Sequence, residues 1–235
     1  MIGNKFPFKK ILILVTILAV PGFLYYLLQE KGQNRYKPLP IYGPKVIAET
    51  FHKKRGKEIP DTIYHQIKSF EAINQNGDVF KLDSVKEQII IANFFYTRCT
   101  KGCPIVNENL KWLQGEYNKN DRVRFISITV DPAYDHDEVL TDYAKKLGAE
   151  AGRWDVLKAD TSIVYPLAKE QFFVNALPLK DKVNFIHSDK LILLDQSHRI
   201  RGYYNGVSAP EIKKMGDEIK LLITEELREL KINVK

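Results

Sequence analysis

The chemistry of this chain begins with its two cysteines, which stand four positions apart in Cys99-Thr100-Lys101-Gly102-Cys103. Two thiols cannot build the multi-bridge framework of a small secreted domain, so a local task is left: holding an ion or cycling through a disulfide. Three intervening residues make a looser loop than the two of the usual redox motif, and that spacing suits either task. Pro104 is well placed as a first helical residue, which would put Cys103 at the N-cap and Cys99 in the loop before it. Free N–H groups and the helix dipole stabilise a thiolate there, and Arg98 and Lys101 add positive charge. Two thiolates are a soft pair that favours Cu(I), with zinc also compatible.

A stable metal site needs at least one further ligand, and the chain offers His52, His65, His136, His187 and His198. His52 and His65 precede the core strands, His136 starts a capped helix, and His198 lies at a hairpin tip. His187 sits just before an apolar strand in NFIHSDKLILL, where a loop beside a neighbouring strand could turn its ring towards the cysteines. Sequence alone leaves the choice open, because a histidine is more often a surface or core residue than a ligand. A purely redox use of the pair, with Cys99 attacking as the more exposed thiol and Cys103 resolving, would need no histidine.

The elements that must position these residues follow from periodicity. Asn76-Gly77 between FEAIN and VFKL predicts a tight hairpin over 70–82. Gln88–Tyr96 is apolar on both faces and predicts a buried central strand, followed at once by the cysteine loop. Val106, Leu110, Leu113 and Tyr117 recur at helical spacing. Val123–Val130 is a second buried strand, and Asp135 with Glu138 forms a capping-box pattern ahead of a helix through Leu147. A short strand is expected over 154–157 and a helix bent or begun near Pro166 over 160–172. Strands at 191–194 and 200–204 join through a turn at 195–198, and Ser208, Pro210 and Glu211 open a C-terminal helix. Such an order predicts an α/β domain, a mixed sheet flanked by helices, with the cysteines at the carboxyl end of a central strand.

Ile11 to Leu28 are 18 residues without a charge, preceded by Lys5, Lys9 and Lys10, a length close to the minimum for a spanning helix. Pro21 and Gly22 interrupt the run, which membrane helices tolerate, and the aromatic residues at its end do not suit a cleaved signal. The expected organisation is a cytoplasmic leader (1–10), one transmembrane anchor (11–29), a spacer (30–58) and a single domain (59–235) on the extracytoplasmic, periplasmic side. Flanking charges are nearly balanced, Lys31, Arg35 and Lys37 facing the three N-terminal lysines, so the orientation rests on the short leader. The net charge of +7 is spread along the chain and interleaved with acids, which argues against a nucleic-acid stripe. The sequence sets no oligomeric state.

Three segments, FFYTRCTKGCPIVNENL, ITVDPAYDHDEVLTDYAKKLG and IHSDKLILLDQSHRIRGYYNG, resemble in order and separation the Sco/SenC family of copper metallochaperones for cytochrome c oxidase. The resemblance covers about Ile59 to Ile223. It implies a thioredoxin-like fold and copper, Cu(I) or Cu(II), held by Cys99, Cys103 and His187. It further implies delivery of copper to the CuA centre of oxidase subunit II, or upkeep of that subunit's cysteines; a thiol:disulfide oxidoreductase of the cell envelope is the alternative. Asp131 and Asp135 match acidic positions of the family, and also read simply as a strand end and a helix cap. Thr100 stands where many members have proline and Ile186 where many have aspartate. These departures bear on loop rigidity and on the ligand's surroundings.

Overall fold

The computed structural model describes residues 8–31, 38–54, 56–179 and 185–233, and it divides the chain into two compact units, 1–37 and 38–235. The first unit is helix α1, Phe8–Lys31. Among the described residues, no helix is long and apolar enough to cross a membrane.

In the second unit the elements follow as β1 (Lys45–Lys54), β2 (Lys57–Tyr64), β3 (Glu71–Ile73), β4 (Val79–Lys81), β5 (Ile89–Phe95), α2 (Cys103–Glu116), β6 (Val123–Thr129), α3 (Asp137–Leu147), β7 (Trp154–Leu157), α4 (Thr161–Pro166), β8 (Ala176–Pro178), β9 (Phe185–His187), β10 (Lys190–Leu194), β11 (Ile200–Asn205) and α5 (Ala209–Asn233). The main sheet has the order β11-β10-β5-β6-β7. β5, β6 and β7 run parallel, while β10 is antiparallel to both β5 and β11.

All seven residues of β5 are buried, the requirement for a central strand covered on both faces. Ile90, Ala92 and Phe94 point to one layer, where the β3–β4 hairpin and the α4 region supply Phe80, Leu167 and Phe172. Ile89 and Ile91 point to the other, packed by Leu110 and Leu113 of α2 and by Met215 and Ile219 of α5. The buried Gln75 joins the hairpin to the sheet: its amide donates to Trp154 O (2.9 Å) and its carbonyl accepts from Val156 N–H (2.9 Å).

Several local expectations shift. The cap of α2 is Gly102, and Cys103 is the first helical residue. The cap of α3 is His136, with no side-chain capping bond, because the Asp135 carboxylate turns inward to Thr97 and Thr129. The helix expected over 160–172 is α4, capped by Asp160 accepting from Ser162 N–H (2.8 Å), followed by a wide turn at Leu167–Gln171. Within the stretch read as spacer, Lys45–Lys54 pairs with Lys57–Tyr64 as a separate two-stranded ladder. β8 and β9, unforeseen, form another.

Candidate metal centre

β5 delivers Tyr96 and the loop 97–102 to the carboxyl edge of the sheet, and α2 begins at Cys103. Cys99 is half-buried there, while Cys103 is 3 % exposed and packs with Phe95, Leu140, Ala144 and Val156. The two are joined as a disulfide, with Cα atoms 5.9 Å apart. The N–H of Cys103 donates to Cys99 Sγ (3.4 Å), so the free amides at the start of α2 face the sulfur that a thiolate would occupy.

His187 arrives from the other side of the sequence. It ends β9 and pairs with Ala176 of β8, rather than sitting in a loop ahead of a strand. Its Nε2 lies 3.5 Å from Cys99 Sγ and 3.5 Å from Cys103 Sγ. The three ligand atoms lie within 4.8 Å of one another and form the one such group of three metal-ligating side chains among the described residues. The donor set fits a soft cation, with two sulfurs and one imidazole nitrogen facing a common point. Buried Nδ1 has no hydrogen-bond partner among the described residues, so none of them fixes the ring through its other nitrogen, as a partner usually does for a ligating imidazole. Ile186, beside His187 in the chain, is half exposed.

A residue that the sequence did not flag holds the ring in place. Tyr96 meets His187 edge-on, centroids 5.3 Å apart at 80°, and meets Phe185 at 5.1 Å. It ends a mostly apolar run and reads there as core. Around the sulfurs a depression of about 400 Å³ opens between the cysteine loop and β9, bordered by Thr100, Lys101, Leu179 and Ile186.

The remaining sequence candidates lie elsewhere. His52 pairs with Asp61 at 2.7 Å, His65 Nε2 lies 2.9 Å from Gln171 O, His136 caps α3, and His198 Nε2 lies 3.0 Å from Val85 O. Asp131 and Asp135 brace the loop and stand outside the sulfur–imidazole group. Arg98 donates to Asp131 at 2.5 Å and lies over the Tyr134 ring at 4.1 Å, so its charge is answered locally instead of being directed at the thiols. The buried Asp135 carboxylate accepts from the Thr97 N–H and hydroxyl and from the Thr129 hydroxyl, tying the loop to β6. Burial pushes its pKa up, against the pull of those hydrogen bonds.

A parallel-centred α/β sheet with a cysteine pair where the helix after its central strand begins defines a thioredoxin-like protein, here with an imidazole brought against both sulfurs. The chain belongs to the SCO1/SenC family, whose model matches residues 61–224. It is 27% identical over 154 residues to the SCO1 protein homolog of Bacillus subtilis, covering 65% of this chain and 80% of the relative. A solved structure of BsSco, a member of the Sco family of cytochrome c oxidase assembly proteins in which a disulfide switch was identified, superposes with a TM-score of 0.60 at 26% identity, covering 68% of this chain and 94% of the other. Bradyrhizobium japonicum ScoI with copper bound has the same fold, with a TM-score of 0.55 at 24% identity over 66% of this chain and 98% of that one.

Proposed function

We propose that this protein is a membrane-anchored copper chaperone, taking up one copper ion through Cys99, Cys103 and His187 and passing it to the CuA site of cytochrome c oxidase subunit II. The observation that carries the reading is the equal 3.5 Å approach of His187 Nε2 to both sulfurs. Family membership and a copper-bound relative of the same fold support the choice of cargo, and BsSco's family of oxidase assembly proteins supports the choice of recipient.

Loading starts from the reduced pair: an external dithiol reduces the disulfide by thiol–disulfide exchange, itself becoming a disulfide, and the two thiols formed lose their protons as the sulfurs bind the ion. Nε2 ligates as its lone pair turns to the metal, leaving the ring proton on Nδ1. Release is ligand exchange, in which acceptor thiolates replace the two sulfurs in turn, and the half-exposed Cys99 is the sulfur they reach first. The apolar helical run of α1 supports an anchor, with the short leader in the cytoplasm and the domain on the extracytoplasmic side.

A second reading is favoured by the paired state of the cysteines and by the difference in their exposure. In it Cys99 attacks and Cys103 resolves, as in a thiol:disulfide oxidoreductase that keeps the recipient's cysteines reduced. Anaerobic Cu(I) titration of the reduced protein separates the two. We expect one tightly held copper per chain, an affinity loss of at least about a hundredfold in His187→Ala, and a disulfide that still forms in that variant. Unchanged affinity in His187→Ala would contradict the three-ligand site, and a reduced native protein that takes up no copper would leave only the oxidoreductase.

A further inference from the structure

We propose that Asp135 is a positioning residue for the sulfur pair, fixing the start of the cysteine loop through Thr97 so that the opened, metal-free loop keeps the geometry that disulfide and bound ion both require. β5 loses its partner strand just before the cysteines. The ladder with β6 ends at the Phe95–Thr129 pair, and Val130 N–H donates the last bond to Phe95 O (2.8 Å). A backbone amide leaving a sheet needs another acceptor, and Thr97 finds it in a side chain. Its N–H donates to Asp135 Oδ2 (3.2 Å) and its hydroxyl to Asp135 Oδ1, while the Thr129 hydroxyl donates to Oδ2. One carboxylate thus takes over where the ladder stops, and its charge strengthens all three bonds.

Asp135 does this at the expense of a simpler task. Just ahead of α3 its carboxylate could accept from the helix's free amides, a cap worth about 1 kcal/mol. Instead it is fully buried, and α3 starts from His136 with no side-chain capping bond. Local rules are broken mostly where function or strain demands it. Arg98 is held from the same stretch, by the Asp131 carboxylate (2.5 Å) and the Tyr134 ring (4.1 Å). Cys99 follows, its N–H donating back to Tyr96 O (3.1 Å). Thr100 and Lys101 are exposed, and the chain is fixed again at Cys103, where α2 begins. In the closed pair the S–S bond itself restrains this loop. Once that bond opens, and before an ion arrives, the grip on 97–98 keeps the Cys99 sulfur facing Cys103 and His187. Without the grip, ring closure and ion binding alike must first order the loop, an entropy cost that weakens both.

Thr97→Val in the full chain is the test, since it removes the hydroxyl at nearly constant shape and leaves the carboxylate in place. The first readout is exchange with dithiothreitol, whose two thiols supply the two electrons and two protons that open the Cys99–Cys103 bond and which closes to a cyclic disulfide. The second is competition for Cu(I) against a chelator. We expect Thr97→Val to shift the exchange constant about tenfold towards the reduced protein, equivalent to about 30 mV for two electrons. We expect it also to weaken Cu(I) binding about tenfold, the size of losing a group that orients a metal ligand. Thr97→Ser, which keeps the hydroxyl, should match the native protein in both, and Thr97→Val should cost nothing further in an Asp135→Asn background. Leu222→Ala, a truncation in the buried face of α5, should lower the urea midpoint and move neither equilibrium, which separates the hold from general stability. An exchange constant unchanged in Thr97→Val, or shifted as much in Leu222→Ala, would overturn the proposal. So would Asp135→Asn that tightens copper beside a native Thr97→Val, which would assign the carboxylate an effect of charge alone. The copper half rests on the metal-site reading: a native protein that takes up no copper would contradict that reading, while the exchange constants still decide the hold.

Discussion

The cysteine pair and His187 make opposite demands on the chain. The sulfurs lie four positions apart on one loop, and their proximity is local geometry, whereas the imidazole comes from 84 residues beyond Cys103 and depends on what holds β9 in place. Tyr96 is the nearest such hold, its ring edge-on to His187 and against Phe185. Tyr96→Leu, apolar but without the ring, is therefore expected to weaken Cu(I) binding about tenfold, the size of losing a group that orients a metal ligand, while Tyr96→Phe binds like the native protein. Competition titrations with a Cu(I) chelator measure both, and equal affinities for all three proteins would remove Tyr96 from the account. The pair was legible in the sequence because spacing alone carries it. His187 was not separable from four other histidines by residue type, and the resemblance singled it out. Tyr96 was hidden because a residue whose ring supports a ligand reads the same as one that fills a core.

Elements were legible where they bury a face. β5, β6, α2 and α5 carry apolar residues at the period of their geometry, and their positions follow from it. β8 and β9 did not announce themselves: each is three residues long, and Pro178 lies in one of them. The β1–β2 hairpin was obscured for another reason, since both its faces are exposed and no alternation marks an inside. The cap of α3 moved by one residue because a tertiary partner claimed the side chain, Asp135 being drawn to Thr97 and Thr129. At this scale the short β9–β10 link has a keeper. Gly206 N–H donates to Asp189 O at 2.8 Å, and a Cβ on Gly206 would lie 2.5 Å from that same oxygen and 3.0 Å from Val106. Gly206→Ala must push this backbone aside, at a cost of about 1–3 kcal/mol, and it should loosen copper binding through Ser188, the one residue between Asp189 and His187. Urea unfolding and chelator competition check the two effects, and native values in both would contradict the strain.

Across the whole molecule, the chain entering the domain is fastened by charge. Arg201, 2% exposed, donates to Asp195 (3.2 Å), Glu225 (2.7 Å) and Leu39 O (2.7 Å), and Arg199 donates to Asp195 (2.8 Å). The cluster ties residues 39–40 to β11 and α5. Glu226 beside it accepts from Gln196 N–H at 2.9 Å, but its Oε2 is buried without a partner among the described residues. Burial first, and then the Asp195 carboxylate, push its pKa up to about 7. A carboxyl raised on folding stabilises fully below its unfolded value, about 4.3, and that contribution is lost as pH rises through 7. The protein should accordingly lose up to about 3 kcal/mol between these limits, and Glu226→Gln should flatten the slope. Denaturant midpoints from pH 4.5 to 8 test this, and a slope unchanged in the variant would place the titration on another group.

One claim joins these scales: a loop sulfur pair and a distant imidazole close on one ion. X-ray absorption at the copper edge of the reduced, Cu(I)-loaded full chain reads that coordination directly. The account predicts two sulfur scatterers and one imidazole nitrogen, with the nitrogen shell gone in His187→Ala. A shell of sulfur alone in the native protein, or a nitrogen shell that survives the substitution, would contradict it.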